Sequence, residues 1–181
     1  MKIDEVIDED ETVMACVRSD DYARSAGLPE DEFLRRRIAD RLYHYICIDG
    51  PTTIAIVGHD MVQSMNLEAD ALFTLSLDNI PTLTPEVVYN DLGEVVMVTA
   101  GGDYEASLIL RSDVWSALAE RFGRDIVFGL PTRDVFLAGS IGSAEALEIL
   151  RWQVPKGFRR NAYPISPRLY RWRDGEISVF E

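Results

Sequence analysis

Cysteine and histidine are scarce in this chain, with two of each. Cys16 and Cys47 sit among apolar neighbours, in MACV and YICI. Two cysteines make no disulfide framework and offer no zinc spacing, so both read as reduced core thiols. No apolar run approaches the roughly 18 residues that a bilayer crossing needs, so no membrane is expected. The opening MKIDEVIDEDET is acidic where a signal peptide has an apolar stretch. The expected location is cytoplasmic. Positive charge is short as well: Lys and Arg number 18 against 31 Asp and Glu, for a net charge of −13. That excludes nucleic acid as a partner, because its binders displace counterions with basic patches. It favours a basic protein partner, or solubility alone.

Motifs with a fixed mechanism are missing. There is no G-x-G-x-x-G, no Walker-type G-x-x-x-x-G-K-[ST], no H-E-x-x-H and no C-x-x-C. Gly139-Ser140-Ile141-Gly142-Ser143 does not match the G-x-S-x-G elbow. Its glycines before a helix start could hold an anion, but an ordinary helix capped by Ser143 is the favoured reading, and Glu145 in the first turn would repel a phosphate. No cofactor is expected.

What is present is ordinary globular material: 181 residues, 47% hydrophobic and 27% charged. Residues 1–11 are expected to fray, and residues 12–181 to form a single domain. Six acids crowd the start (Asp4, Glu5, Asp8, Glu9, Asp10 and Glu11), and basic residues gather from Arg151 to Arg173. Loose pairing between the two ends would account for both.

Thr12 to Val17 predicts a buried strand. Leu34, Ile38, Leu42 and Tyr45/Ile46 recur at steps of three or four, which predicts a helix from Asp31 to Ile48. Glu32–Arg36 and Arg36–Asp40 would pair along its outer face. Thr52 to Val57 predicts a central strand, and His59 to Met65 a helical turn. Asn66 then caps a helix striped by Leu67, Ala71, Leu72 and Leu75 and closed by Pro81 and Pro85.

Glu86–Asn90 and Glu94–Ala100 read as paired strands. Asp103 caps a helical segment, and Ser112 caps a second helix that Gly123 stops. Strands Asp125–Leu130 and Asp134–Ala138 flank Pro131-Thr132-Arg133. Ser143 caps a helix that faces inward through Ala146, Leu147, Leu150 and Val154 and ends at Pro155. Leu169–Arg173 and Glu176–Phe180 flank Asp174-Gly175, a strong hairpin signal. Together these predict an α+β fold, a mainly antiparallel sheet with three to five helices packed against it.

Few polar residues look placed for chemistry. His59 beside Asp60 could act as a general base, or could merely begin a loop. Asp103, Glu105 and Asp134 could give oxygen ligands to Mg²⁺ or Ca²⁺, although carboxylates are common in so acidic a chain and no metal is required. Arg133-Asp134 sets a guanidinium beside a carboxylate at the rim of the sheet. Arg133 could clamp a carboxylate or phosphate, or lock the hairpin to the Asp103–Glu105 segment. The lock is favoured. Trp115, Trp152 and Trp172 belong to the core or its edges, and Met61, Met65, Tyr163, Tyr170 and Trp172 could line an apolar groove.

Three motifs occur in order: Asp103-Tyr104-Glu105-Ala106-Ser107-Leu108 followed by Trp115, then Leu130-Pro131-Thr132-Arg133-Asp134, then Pro164-Ile165-Ser166-Pro167-Arg168-Leu169-Tyr170. They resemble the YtpQ-like family of bacterial proteins of unknown function over about residues 80–173. The chain is shorter than typical members. The resemblance implies no catalytic residue, but it implies that Tyr104, Glu105, Arg133 and Asp134 belong together in space. The favoured function is a non-catalytic binding or interaction module, for instance an immunity-type inhibitor of a basic partner. The alternative is a small-molecule or phosphoester-handling enzyme built on Asp103, Glu105, Arg133 and Asp134, with or without a divalent cation. A homo-oligomer stays open.

Overall fold

A computed structural model describes residues 10–20, 29, 31–64 and 66–181. Asp4, Glu5, Asp8, Glu9, Asp21 and Met65 lie outside the described residues. The fold is α+β and antiparallel, as the sequence predicts, but it has two sheets where one was expected. Contacts divide the chain into two compact units. One runs up to Leu83 without Ile38–Asp40, and the other joins Ile38–Asp40 to Thr84–Glu181.

The first sheet has order β1-β3-β2, with β4 also paired to β3. Its strands are β1 (Thr12–Ser19), β2 (Arg35–Ala39), β3 (Leu42–Asp49) and β4 (Ile54–Ile56). β1 and β3 pair along their whole length, from Thr12↔Asp49 to Ser19↔Leu42. Helices α1 (His59–Ser64) and α2 (Ala69–Leu83) follow. Leu72 and Phe73 of α2 share a core with Val13, Ile46, Ile48, Val57 and Val62.

The helix predicted over Asp31–Ile48 is instead the pair β2 and β3, joined at Asp40 and Arg41, with Arg41 at φ 60°. Leu42 and every residue from His44 to Ile48 are buried, so apolar residues fall at all spacings, helical ones included. The helical ion pairs give way to a long-range one, Arg36 Nη2 to Asp70 Oδ1 at 2.5 Å. The strand expected over Thr52–Val57 shrinks to three residues at the end of β3. Asn66 does not cap, because α2 begins at Ala69. The buried stripe of α2 is Leu72, Phe73, Ser76 and Ile80, while Ala71 is exposed. Pro81 lies within the last turn of α2 rather than ending it, and the carbonyl it leaves without an amide belongs to half-exposed Leu77.

The second sheet runs β10-β9-β7-β8-β6-β5. These strands are β5 (Val88–Asp91), β6 (Val95–Thr99), β7 (Asp125–Thr132), β8 (Val135–Ser140), β9 (Leu169–Arg173) and β10 (Glu176–Val179). Between β6 and β7 come a 3₁₀ helix, η1 (Glu105–Leu110), and α3 (Ser112–Phe122); α4 (Ala144–Arg160) follows β8. On one face α4 seats Ala146, Leu150 and Val154 on Val95, Val127, Leu137 and Leu169. Two glycines let it approach: a Cβ on Gly129 would lie 2.3 Å from Val154 Cγ2, and one on Gly157 would lie 2.9 Å from Pro131 Cβ. That packing carries α4 past Pro155 to Arg160, beyond its expected end. The opposite face holds an aromatic layer of Trp115, Phe128, Phe136, Tyr170 and Trp172.

Ser143 caps α4 as expected, its Oγ accepting the Ala146 N–H at 3.2 Å. Ser112 does not cap α3. It is the first helical residue, and Arg111 precedes it, bonded to the Asp113 carboxylate. Gly123, at φ 80°, stops α3 as predicted. The Asp174-Gly175 turn also stands, with φ of 50° and 93°.

Candidate functional site

The polar residues singled out by sequence meet where the β7–β8 turn touches η1. Arg133 and Asp134 are that turn. The Arg133 carbonyl accepts the Ala106 N–H at 2.9 Å, and the Arg133 N–H donates to the Tyr163 carbonyl at 3.2 Å. Its Nη2 reaches Asp103 Oδ1 at 3.0 Å, and its guanidinium carbon lies 3.9 Å from the centroid of the Tyr163 ring. Asp103 is therefore the partner of Arg133 and not a helix cap. The residue before η1 is Tyr104, with no side-chain cap bond.

Glu105 opens η1 and is fully buried. Its Oε1 accepts the N–H of Ala100 at 2.8 Å and that of Gly102 at 2.7 Å. This needs the chain to turn back sharply, and Gly101 and Gly102 allow it with φ of 105° and 103°. Oε2 has no partner, and neither has the buried hydroxyl of Thr132. Both belong to residues that immediately precede the Ala106–Arg133 backbone bond. Such groups are rarely left unpaired, because a buried polar atom loses its water without replacement.

Tyr104 and Glu105 thus share one segment, and Arg133 grips that segment through Asp103 and Ala106. No hydrogen bond links Arg133 to Glu105. Asp134 points outward, with no ion pair among the described residues. Among the described residues, no group of three His, Cys, Asp or Glu side chains could hold a metal. Tyr163 and Thr132 also belong to this corner. Nothing in their local sequence signals it, because each arrives by long-range pairing, including the bridge of Thr132 to Pro164.

The remaining candidates disperse. His59 is exposed at the start of α1. His44 is buried on β3, with Nε2 3.0 Å from Ser76 Oγ, and Ser76 Oγ itself donates to the Phe73 carbonyl. Burial first, and then the charge of Arg36, lower the His44 pKa to about 4. It is a neutral core residue. Cys16 and Cys47 are buried and unbridged, and burial pushes the Cys47 thiol well up. The capping Ser143 also donates to Glu94 Oε2 at 2.7 Å, and that carboxylate would repel an anion at the start of α4. Trp115 and Trp172 are buried, whereas Trp152 is exposed. Tyr170 is fully buried and Trp172 nearly so, so the expected exposed groove does not form from them.

No helix among the described residues is long and apolar enough to cross a membrane. No family model matches the chain, and no solved structure does. It is similar to UPF0354 proteins, an uncharacterised family. It is 20% identical over 167 residues to one from Bacillus cytotoxicus, which takes in 91% of this chain. It is 22% identical over 181 residues to one from Staphylococcus epidermidis, which takes in 96% of this chain. In both cases the match spans 62% of the relative, so the chain covers less than two thirds of the length of these bacterial relatives.

Proposed function

We propose that this protein is a non-catalytic cytosolic binding module whose partner is a basic protein, an immunity-type inhibitor of a basic toxin being one form. The YtpQ-like motifs and the likeness to UPF0354 proteins are read as one relationship. The supporting observation is a gap in positive charge. Between Arg41 and Arg111 there is no lysine or arginine, and Asp60, Glu68, Asp70, Asp78, Glu86, Asp91, Glu94 and Asp103 of that stretch are all exposed. Arg36, Arg121 and Arg133 reach in to Asp70, Asp91 and Asp103. Asp60, Glu68, Asp78 and Glu86 make no ion pair among the described residues. Such an excess of exposed negative charge attracts positive partners and speeds their encounter. In this reading the Arg133 corner is a structural lock. Capture from bacterial lysate tests the module. A basic protein held at physiological salt by wild type, and lost by Asp60→Lys/Glu68→Lys/Asp78→Lys, supports it. An empty capture at both low and physiological salt overturns it.

The enzyme reading draws on one observation, the unpartnered Glu105 Oε2 beside Thr132. A thermal-shift screen of divalent metals, nucleotides and small phosphorylated or carboxylated compounds tests it. A ligand at about 100 to 1,000 times its Kd stabilises by about 3–4 kcal/mol. A shift that Arg133→Ala abolishes would support that reading, and its absence would leave the corner structural.

A further inference from the structure

We propose that β5 is the contact edge of a homodimer, pairing antiparallel with β5 of a second copy about a twofold axis at Asn90. This goes beyond the module reading and does not depend on it. β5 ends the six-stranded sheet, and no strand among the described residues lies on its outer side. The turn into β6 fixes which backbone groups point where. The Leu92 N–H donates to the Val95 carbonyl at 2.9 Å, so Leu92, Asn90 and Val88 direct their backbone groups to β6. Tyr89 and Asp91 therefore aim theirs outward, a row of donors and acceptors that another extended strand matches. The Asn90 side chain does not block that side, because its Nδ2 folds back to Thr99 Oγ1 at 3.0 Å.

Free edges are commonly blunted by charge, proline or a bulge. β10, at the opposite end of the sheet, exposes only Glu176 and Ser178. β5 instead exposes apolar side chains. Val88 is 50% exposed, Tyr89 38% and the following Leu92 55%, three of the six large hydrophobic side chains exposed among the described residues. The one charge of β5, Asp91, is held by Arg121 of α3, Nη2 to Oδ1 at 2.7 Å.

The order Val88-Tyr89-Asn90-Asp91-Leu92 says which strand fits. An axis through Asn90 sets Tyr89 opposite the copy's Asp91, and Asp91 opposite the copy's Tyr89, which closes four backbone hydrogen bonds. At both ends it sets Val88 opposite the copy's Leu92, apolar on apolar. On the α3 face each Tyr89 ring meets the copy's Asp91–Arg121 ion pair, where ring and guanidinium attract. That ion pair also relieves the repulsion that two bare carboxylates beside one axis would cause. A basic strand from another protein gains less, since Asp91 already has its cation. Four strand residues a side fall short of the roughly 1,200–2,000 Å² of a standard interface, so the dimer is weak. Each copy carries a net charge of −13, so salt strengthens the contact by screening.

Sedimentation velocity of the full chain over about 10 μM to 1 mM, at low salt and at about 0.15 M, tests the contact. A dimer that grows with concentration and is favoured by salt is expected. Val88→Lys sets a charge against the copy's Leu92, and Tyr89→Pro removes an outward N–H that β6 does not use. Each should weaken association about tenfold or more. Asn90→Cys reads the register, because residues facing each other in a non-hydrogen-bonded pair have Cα atoms about 4.5 Å apart, within disulfide reach. Both native cysteines are buried. Mild oxidation should therefore link Asn90→Cys into a dimer and leave Ser178→Cys, on β10, monomeric. A chain that stays monomeric at the highest concentration overturns the proposal. So does a dimer that salt dissociates, one that neither Val88→Lys nor Tyr89→Pro weakens, or equal cross-linking of the two cysteine variants. A short alternating Val–Lys peptide that binds a chain otherwise monomeric, and is lost with Tyr89→Pro, overturns the second copy in favour of a basic partner's strand.

Discussion

At the scale of single residues, His44 gives the clearest dependence on pH. Its folded pKa of about 4 lies below its ordinary 6.5, so the unfolded chain binds the proton more tightly. The stability it contributes is complete above about pH 6.5. It falls as pH drops towards 4, by up to about 3 kcal/mol. Urea unfolding of wild type and His44→Gln at pH 7.5 and 4.5 checks this, and the variant should lose less. An equal loss in both would assign the acid sensitivity to other groups. Glu105 offers a second test. Glu105→Ala strips the acceptor from two backbone N–H groups and should cost about 3 kcal/mol or more. Glu105→Gln keeps the acceptor and turns the unpartnered oxygen into a donor, so it should cost much less. Arg133→Ala loses an exposed ion pair and a stacked ring, about 1–2 kcal/mol, while its backbone bonds survive. Thermal melting ranks all three. A Glu105→Gln protein as unstable as Glu105→Ala would mean that the second oxygen holds something essential.

At the scale of elements, the seat of α4 on the sheet depends on Gly129. A methyl group there meets Val154 at 2.3 Å, too close without movement. Gly129→Ala should cost about 1–3 kcal/mol by overpacking. Val154→Ala should cost about 0.5–3 kcal/mol on its own through the space it opens. The double variant should be more stable than the sum predicts, a coupling that a double-mutant cycle reads directly. Additive effects would place the two residues out of contact. The same element shows how far local signals reach. Ser143 and the Ala146–Leu150–Val154 stripe were legible because capping and helical period are properties of neighbouring residues. The run through Pro155 was not, because packing against Pro131 and Gly129 maintains it. In β3 the periodicity itself misled: a strand buried on both faces has apolar residues at every spacing, so helical steps are found among them.

At the scale of the whole molecule, charge and cooperativity make predictions. A net charge of −13 opposes compaction, so added salt should raise the melting temperature before any specific ion effect. A melting temperature that stays flat or falls from low to moderate salt would mean that local ion pairs outweigh the general repulsion. The single-domain expectation for residues 12–181 predicts one calorimetric transition with equal calorimetric and van't Hoff enthalpies. Two separate transitions would mean that the contact units, divided near Leu83, melt independently.

The sequence by itself determined the α+β class, the hairpin at Asp174-Gly175, the Ser143 cap and the burial of both cysteines. Each follows from composition or from residues a few positions apart. It also set the negative field, because net charge is additive and needs no fold. Only the tertiary structure decided that Arg36 answers Asp70, that Asp103 answers Arg133, and that Tyr163 lies beneath that guanidinium. It alone laid the ring of Trp115 parallel to that of Trp172. These pairs stand 30 to 57 positions apart along the chain. Strand pairing brings them together, and no local propensity encodes which strands will pair.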